Sequence, residues 1–218
     1  MKRVDGSSSK YLYGRLSMLT PRVTLRLVRG LVLALTMALA GCGKVSLQWS
    51  EQVRLRDGQV VVVQRTAQGK TYSELGGPGG WRYPVEMSVS IAKALGNIKT
   101  PPVWRDTYVP VLLDYDASSG SWSMLASFYY CETWYALGRP IPPYIEYQSI
   151  HGASWERVPL EQRFIDRETN LLTGPDTDGE PDLVTIADKD FRQRSAARQY
   201  QRILRKWGRE EDNFCDLK

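Results

Sequence analysis

From residue 45 onward, apolar and polar side chains alternate with a period of two over much of the chain. In VSLQWSEQVRLRDGQVVVVQR, Val45, Leu47 and Trp49 take every second place, Val53 and Leu55 resume the series, and Asp57-Gly58 interrupts it. A period of two sets side chains on one face of a strand, and both Asp and Gly tolerate the positive φ of a type I′ turn. The pattern predicts a first hairpin that turns at Asp57-Gly58 and holds Trp49, Val53, Leu55, Val60 and Val62. VEMSVSIA, with Val85, Met87, Val89 and Ile91 in alternation, reads as a further strand. YVPVLLDYDASSGSWSMLASFYYC reads as strand, loop at residues 116–120, and strand, a second hairpin. PPYIEYQSIHGASWERVPL predicts a third, with residues 144–147 pairing toward residues 155–158.

The period changes in the tail. In DKDFRQRSAARQYQRILRKWGREEDNFC, Phe191, Ala196, Ala197, Tyr200, Ile203, Leu204 and Trp207 recur at helical spacing. Asp188 or Asp190 can cap the start and Gly208 follows the end, so a closing helix is predicted over about 188–208. Its other face carries Arg192, Arg194, Arg198, Arg202, Arg205, Lys206 and Arg209. That face reads either as solvated surface, its last-turn cations favoured by the helix dipole, or as a contact for anionic lipid or an acidic partner. Together the patterns predict a mainly β fold, an antiparallel meander or sandwich with a C-terminal amphipathic α-helix.

Ahead of the β pattern the chain has a different order. Residues 31–40, LVLALTMALA, follow a segment with Arg22, Arg26 and Arg29 and lead into Leu39-Ala40-Gly41-Cys42. Basic, then apolar, then small is the order of a secretory signal. Ten apolar residues rise only about 15 Å as a helix, half a hydrocarbon core, which disfavours a permanent span. LAGC resembles the lipobox of bacterial lipoproteins. The resemblance implies that residues 1–41 are an N-terminal extension and signal peptide, that Cys42 carries diacylglycerol, and that acylated Cys42 begins the mature chain. Counted from Met18 rather than Met1, the leader has an ordinary length of 24 residues. Gly43 follows the cysteine where Asp retains enterobacterial lipoproteins in the inner membrane. By that likeness the protein is expected at the outer membrane, lipid-anchored and facing the periplasm.

Loss of residues 1–41 changes the charge. They hold seven Lys/Arg and one Asp, so the mature chain keeps 22 basic and 23 acidic residues, a formal −1 against +5 for the whole. The basic pI belongs to the leader, and a nucleic-acid role resting on overall charge loses its support. Residues 42–218 are enough for one domain with a real core, and they contain all seven tryptophans.

A further likeness rests on three stretches. WSEQVRLRDG from Trp49, GRPIPPY from Gly138 and WERVPL from Trp155 resemble an uncharacterised family of proteobacterial lipoproteins and exported proteins, over roughly residues 47 to 165. The family brings no activity with it. Three prolines in GRPIPPY stiffen the approach to a strand, and Arg139 can stack on a ring or pair with a carboxylate. With Cys42 acylated, export leaves Cys131 and Cys215 as the only thiols in an oxidising compartment, which predicts a disulfide between them. The alternative is two unrelated thiols, one in a strand and one on a frayed terminus.

The candidates for chemistry are few. His151, the only histidine, sits in SIHGAS without a nucleophile elbow and reads as a loop residue. With one histidine and Cys42 spent on lipid, neither a metal site nor a cofactor is expected. DTDGEPD, with Asp176, Asp178, Glu180 and Asp182, lacks the Gly and Glu positions of an EF-hand and reads as a solvated turn. GGPGGWR, residues 76–82, lacks the Lys-Ser/Thr of a phosphate loop and reads as a loop. Asp114, Asp116, Glu146 and Glu156 are the carboxylates from which a glycoside hydrolase could draw its pair. Among many aromatics that should be core, Trp122, Trp134, Tyr144 and Trp155 are the candidates for a stacking platform toward a glycan or an envelope protein. The reading that results is a non-enzymatic structural or binding module on a lipid anchor; the alternative is an envelope glycan hydrolase.

Overall fold

Eight strands form two antiparallel sheets of four, and each sheet is a plain meander. A computed structural model describes residues 44–72, 80–93, 96–129, 131–174, 181–194, 196–205 and 215, all within Gly43–Lys218. Residues 1–43, Cys42 among them, and Gly76, Asp176, Asp178, Glu180, Lys206, Trp207, Gly208 and Arg209 lie outside the described residues. The first sheet runs β1 (Lys44–Arg54), β2 (Val60–Tyr72), β3 (Gly80–Lys93) and β4 (Trp104–Asp106) in that order. The second runs β5 (Val109–Asp116), β6 (Ser121–Ser127), β7 (Ile145–Ile150) and β8 (Glu156–Val158). The protein is therefore mainly β, as the alternation implies. Gly80, Trp81 and Arg82 of the glycine-rich stretch belong to β3 rather than to a loop.

The three hairpins form where the pattern puts them. In the first, Arg54 pairs with Val60 and Trp49 with Arg65. Its turn differs in type from the expected one. Gly58 donates to the Leu55 carbonyl at 3.0 Å, Leu55 donates to the Gln59 carbonyl at 2.8 Å, and of the pair only Gly58 has positive φ, +86°. This is a three-residue loop, a turn closed by one left-handed glycine, with the Asp57 carboxylate accepting from the Gln59 amide at 2.9 Å. The odd loop length sets the phase of the four valines after it: Val61 and Val63 are buried, whereas Val60 is exposed. In the third hairpin Tyr147 pairs with Arg157 and Gln148 with Glu156.

The second sheet is covered on both faces. All seven residues of β6 and the first six of β5 are buried, which explains the apolar runs PVLL and SMLAS in place of clean alternation. Register places Tyr115, Trp122, Met124 and Tyr147 on one face, and Tyr147 meets Trp104 of the first sheet edge-on at 5.4 Å. Asp114, Ser123 and Glu146 share the other face. Residues 161–167 bond to it: Glu161 donates its amide to Glu146, Arg163 pairs with Asp116 and Arg167 with Asp114. Both sheets contribute to one hydrophobic core.

The tail departs from a single helix over 188–208. It forms α2 (Ile186–Gln193) and α3 (Arg198–Gln201), while a short α1 (Cys131–Ala136) precedes β7. The amphipathic C-terminal helix is thus α2. Thr185, not Asp188 or Asp190, is its N-cap; Asp188 completes a capping box by accepting from the Thr185 amide at 2.9 Å. The break follows from tertiary bonds. Ala197 is extended, and beyond α3 the backbone pairs like a strand, with Ile203 donating to the Arg167 carbonyl and Asp166 to the Ile203 carbonyl, each at 2.8 Å. That pairing buries Tyr200 and Ile203, whereas Phe191 of the predicted stripe is 75% exposed. Cys131 and Cys215 stand at disulfide distance with Cα atoms 5.1 Å apart, so the last described residue is tied to α1.

Candidate functional site

The four candidate aromatics do not make a platform. Trp122, Trp134 and Tyr144 are buried in the core. Their polar ends are used internally: Trp122 Nε1 donates to the Lys99 carbonyl at 2.9 Å and Trp134 Nε1 to the Pro140 carbonyl at 3.1 Å. Tyr144 donates its hydroxyl toward the Gln199 and Arg202 carbonyls, both at 3.0 Å, and burial pushes its pKa up. Trp155 is half-buried and donates to the Pro102 carbonyl at 2.8 Å. Burying an aromatic body and satisfying its polar tip outweighed display on an open face. Arg139 stacks on Tyr135, 4.8 Å from the ring centroid.

Three of the four candidate carboxylates are tied into the fold. Asp114 is buried, accepting from the Arg56 amide at 3.0 Å and pairing with Arg167 at 2.7 Å. Asp116 accepts from the Ser118 hydroxyl and amide and pairs with Arg163; the Ser118 bonds above all hold its pKa down at about 2. Glu146 is buried, and burial pushes its carboxyl up despite the Glu161 amide at 2.8 Å from Oε2; Oε1 has no hydrogen-bond partner among the described residues. Glu156 is exposed on β8. His151 is an exposed turn residue with φ +51°, donating its amide to the Gly120 carbonyl at 2.9 Å. Among the described residues no group of three or more His, Cys, Asp and Glu could hold a metal ion.

A charged cluster that the sequence reading did not single out lies inside the first sheet. Glu51, Arg65 and Lys189 are all buried. Arg65 pairs with Glu51 through Nη1, donates from Nη2 to the Leu172 carbonyl at 3.1 Å, and stacks 5.0 Å from the Trp49 centroid. The Leu172 amide donates to Glu51 Oε2 at 3.1 Å, and Lys189 Nζ of α2 reaches the same oxygen at 3.2 Å. Burial lowers the pKa of Arg65 and of Lys189, opposed in both by Glu51. One signal was present: Glu51 sits in phase between Trp49 and Val53, so the alternation itself puts it inward. Nothing local marks Lys189.

Lys189 also borders an open cavity of about 730 Å³. Its wall is built by the end of β1, residues 167–170, α2, and α3 with the strand-like segment after it. Five arginines line it, Arg54, Arg167, Arg194, Arg198 and Arg202, against Glu168 and Asp190. Of the basic face read in the tail, Arg194, Arg198 and Arg202 meet here, joined by Arg54 and Arg167 from distant segments. Arg192 instead donates to the Gly174 carbonyl at 3.2 Å. Amide side chains brace the wall. Asn170 Nδ2 donates to the Arg54 carbonyl at 2.9 Å and the Leu113 carbonyl at 2.7 Å, and Gln193 Nε2 donates to the Thr169 carbonyl at 3.3 Å.

No protein-family model, curated protein or solved structure matches this chain. Function must therefore be argued from this geometry. Among the described residues no helix is long and apolar enough to cross a membrane.

Proposed function

We propose that the chain is a cell-envelope lipoprotein, held through diacylglycerol on Cys42 at the outer membrane and facing the periplasm, whose mature part is a non-enzymatic binding module. The anchor reading rests on the LAGC sequence after a basic and apolar leader. The observation that carries the module reading is the contrast between committed carboxylates and an open cavity. Asp114, Asp116 and Glu146 are held by internal amides, hydroxyls and guanidinium groups, while about 730 Å³ of space opens onto an arginine-lined wall whose backbone Asn170 and Gln193 brace. Charge collected around a preformed cavity suits binding of an anionic partner.

Two measurements test this. Labelled palmitate should enter the wild type and not Cys42→Ser; label in the variant defeats the anchor. The purified protein should release no sugar from cell-wall glycan. Release that disappears in Asp114→Asn or Glu146→Gln, with folding intact, would establish the hydrolase instead.

A further inference from the structure

We infer that the arginine-lined cavity is a binding site for a small soluble phosphomonoester, its phosphate group seated between Arg54, Arg194 and Lys189. The inference rests on the binding-module reading, and its choice of a soluble ligand rests also on the lipid anchor. Charge is the first argument. Glu51 supplies one negative charge to two buried cations, Arg65 and Lys189, so this cluster keeps one positive charge without a buried counter-ion, and Lys189 borders the cavity. An anion in the cavity provides that counter-charge. Arg167 and Arg202 have carboxylate partners in Asp114 and Glu168. Arg54 is exposed and has no acidic partner among the described residues. Among the described residues Arg194 spends its Nε alone, which donates to the Asp190 carbonyl at 3.0 Å and so orients the guanidinium.

The surplus chooses the ligand. Arg54, Arg194 and the surplus of the buried cluster bring three positive charges against Asp190 on the same wall; a single carboxylate would leave part of this set uncompensated, whereas a phosphomonoester brings about −1.5 to −2 and three acceptor oxygens that suit guanidinium forks. The cavity volume of about 730 Å³ falls in the usual range for small organic ligands and leaves room for more than the phosphate itself. Position argues for a soluble source rather than a lipid headgroup. Arg54 closes β1, and Lys44, two residues after Cys42, opens it; eleven extended residues set the two ends roughly 30 Å apart. The cavity thus lies at the end of β1 opposite Lys44.

Calorimetric titration of the full-length protein in detergent decides it, with glycerol 3-phosphate as probe, at constant ionic strength, beside acetate and micelles doped with phosphatidic acid. Glycerol 3-phosphate should bind saturably and acetate should not. Arg54→Ala should weaken binding about tenfold or more, because a charge-assisted bond is lost, without changing the melting temperature. Arg54→Glu should abolish it. Lys189→Met should also weaken it, and Arg54→Glu keeps the test valid if that variant does not fold. Absence of saturable binding, unchanged affinity in Arg54→Glu, or binding to phosphatidic acid micelles alone would each overturn the inference. If a glycan or protein binds elsewhere while glycerol 3-phosphate does not, this site falls and the module reading stands.

Discussion

Arg65 and Arg54 belong to neighbouring strands of one hairpin, yet one is among the most buried residues and the other is exposed. Arg65 occupies an inward position of β2, opposite Trp49, and the interior receives it because Glu51 takes up its charge, Nη1 and Nη2 find Glu51 and the Leu172 carbonyl, and the Trp49 ring stacks on it, with Nε alone left without a hydrogen bond. Arg54 occupies an outward position of β1 and borders a cavity lined by more cations than carboxylates. The comparison teaches that a basic residue acquires its role from strand phase and partner. Inside, two cations sharing the Glu51 carboxylate clamp α2 onto the first sheet; outside, Arg54, which has no acidic partner among the described residues, joins Arg194 on a surface able to take a ligand. Lys189 stands at the boundary of the two regions, touching Glu51 and the cavity at once.

The strongest test of that division is Glu51→Ala. It strands two buried cations, and breaking a buried pair from one side costs about 3–5 kcal/mol. A domain of this size should then lose on the order of 10 °C in Tm, read by calorimetry. A near-normal Tm would show that the buried cluster does not clamp the fold. Asp114→Ala comes next, at about 2 kcal/mol by urea denaturation, because the buried Asp114 serves both the Arg56 amide and Arg167. This variant also unties Arg167 at the cavity wall, so affinity for glycerol 3-phosphate should hold or rise while stability falls. A joint fall would erase the distinction between the two regions.

A smaller effect is expected of Lys189 through pH. Its folded pKa lies below the ordinary value of 10.5 because of burial, so between the folded and unfolded values the unfolded chain binds more protons. Stability of the wild type contributed by this group should therefore rise with pH across that window, and Lys189→Met should remove the rise. Subtracting urea curves of the two proteins from pH 7 to pH 10 isolates it; identical slopes would place Lys189 in an effectively solvated state. Smallest of all is Arg54→Ala, whose unfolding free energy should stay within about 0.5 kcal/mol of the wild type, since an exposed side chain away from the core is removed. Its effect belongs to binding alone.

Much of this arrangement is legible in the amino-acid order, and the reason is periodicity. Alternation at Trp49, Val53 and Leu55, at Met87, Val89 and Ile91, and turn residues at Asp57-Gly58 and near Gly120 and Gly152 are local signals, and the mainly β fold with its three hairpins follows from them. The pairing of Cys131 with Cys215 follows from there being so few thiols once Cys42 is set aside. The turn type was not legible, because Asp-Gly serves more than one loop length. Nor was the helix break, because helical spacing from Phe191 to Leu204 competes with strand-like pairing of Ile203 to residues 166–167, a contact some 37 positions away. The stacking candidates failed for a similar reason: Trp122, Trp134 and Tyr144 found carbonyl partners in the interior. Sequence alone thus determined the mainly β fold and the places of its three hairpins, but not the short β4 or the division into two four-stranded sheets. Only the tertiary structure decided that a lysine of α2 would meet Glu51 of β1, and that arginines spread from position 54 to position 202 would share one cavity, because charge acts through space and leaves no period along the chain.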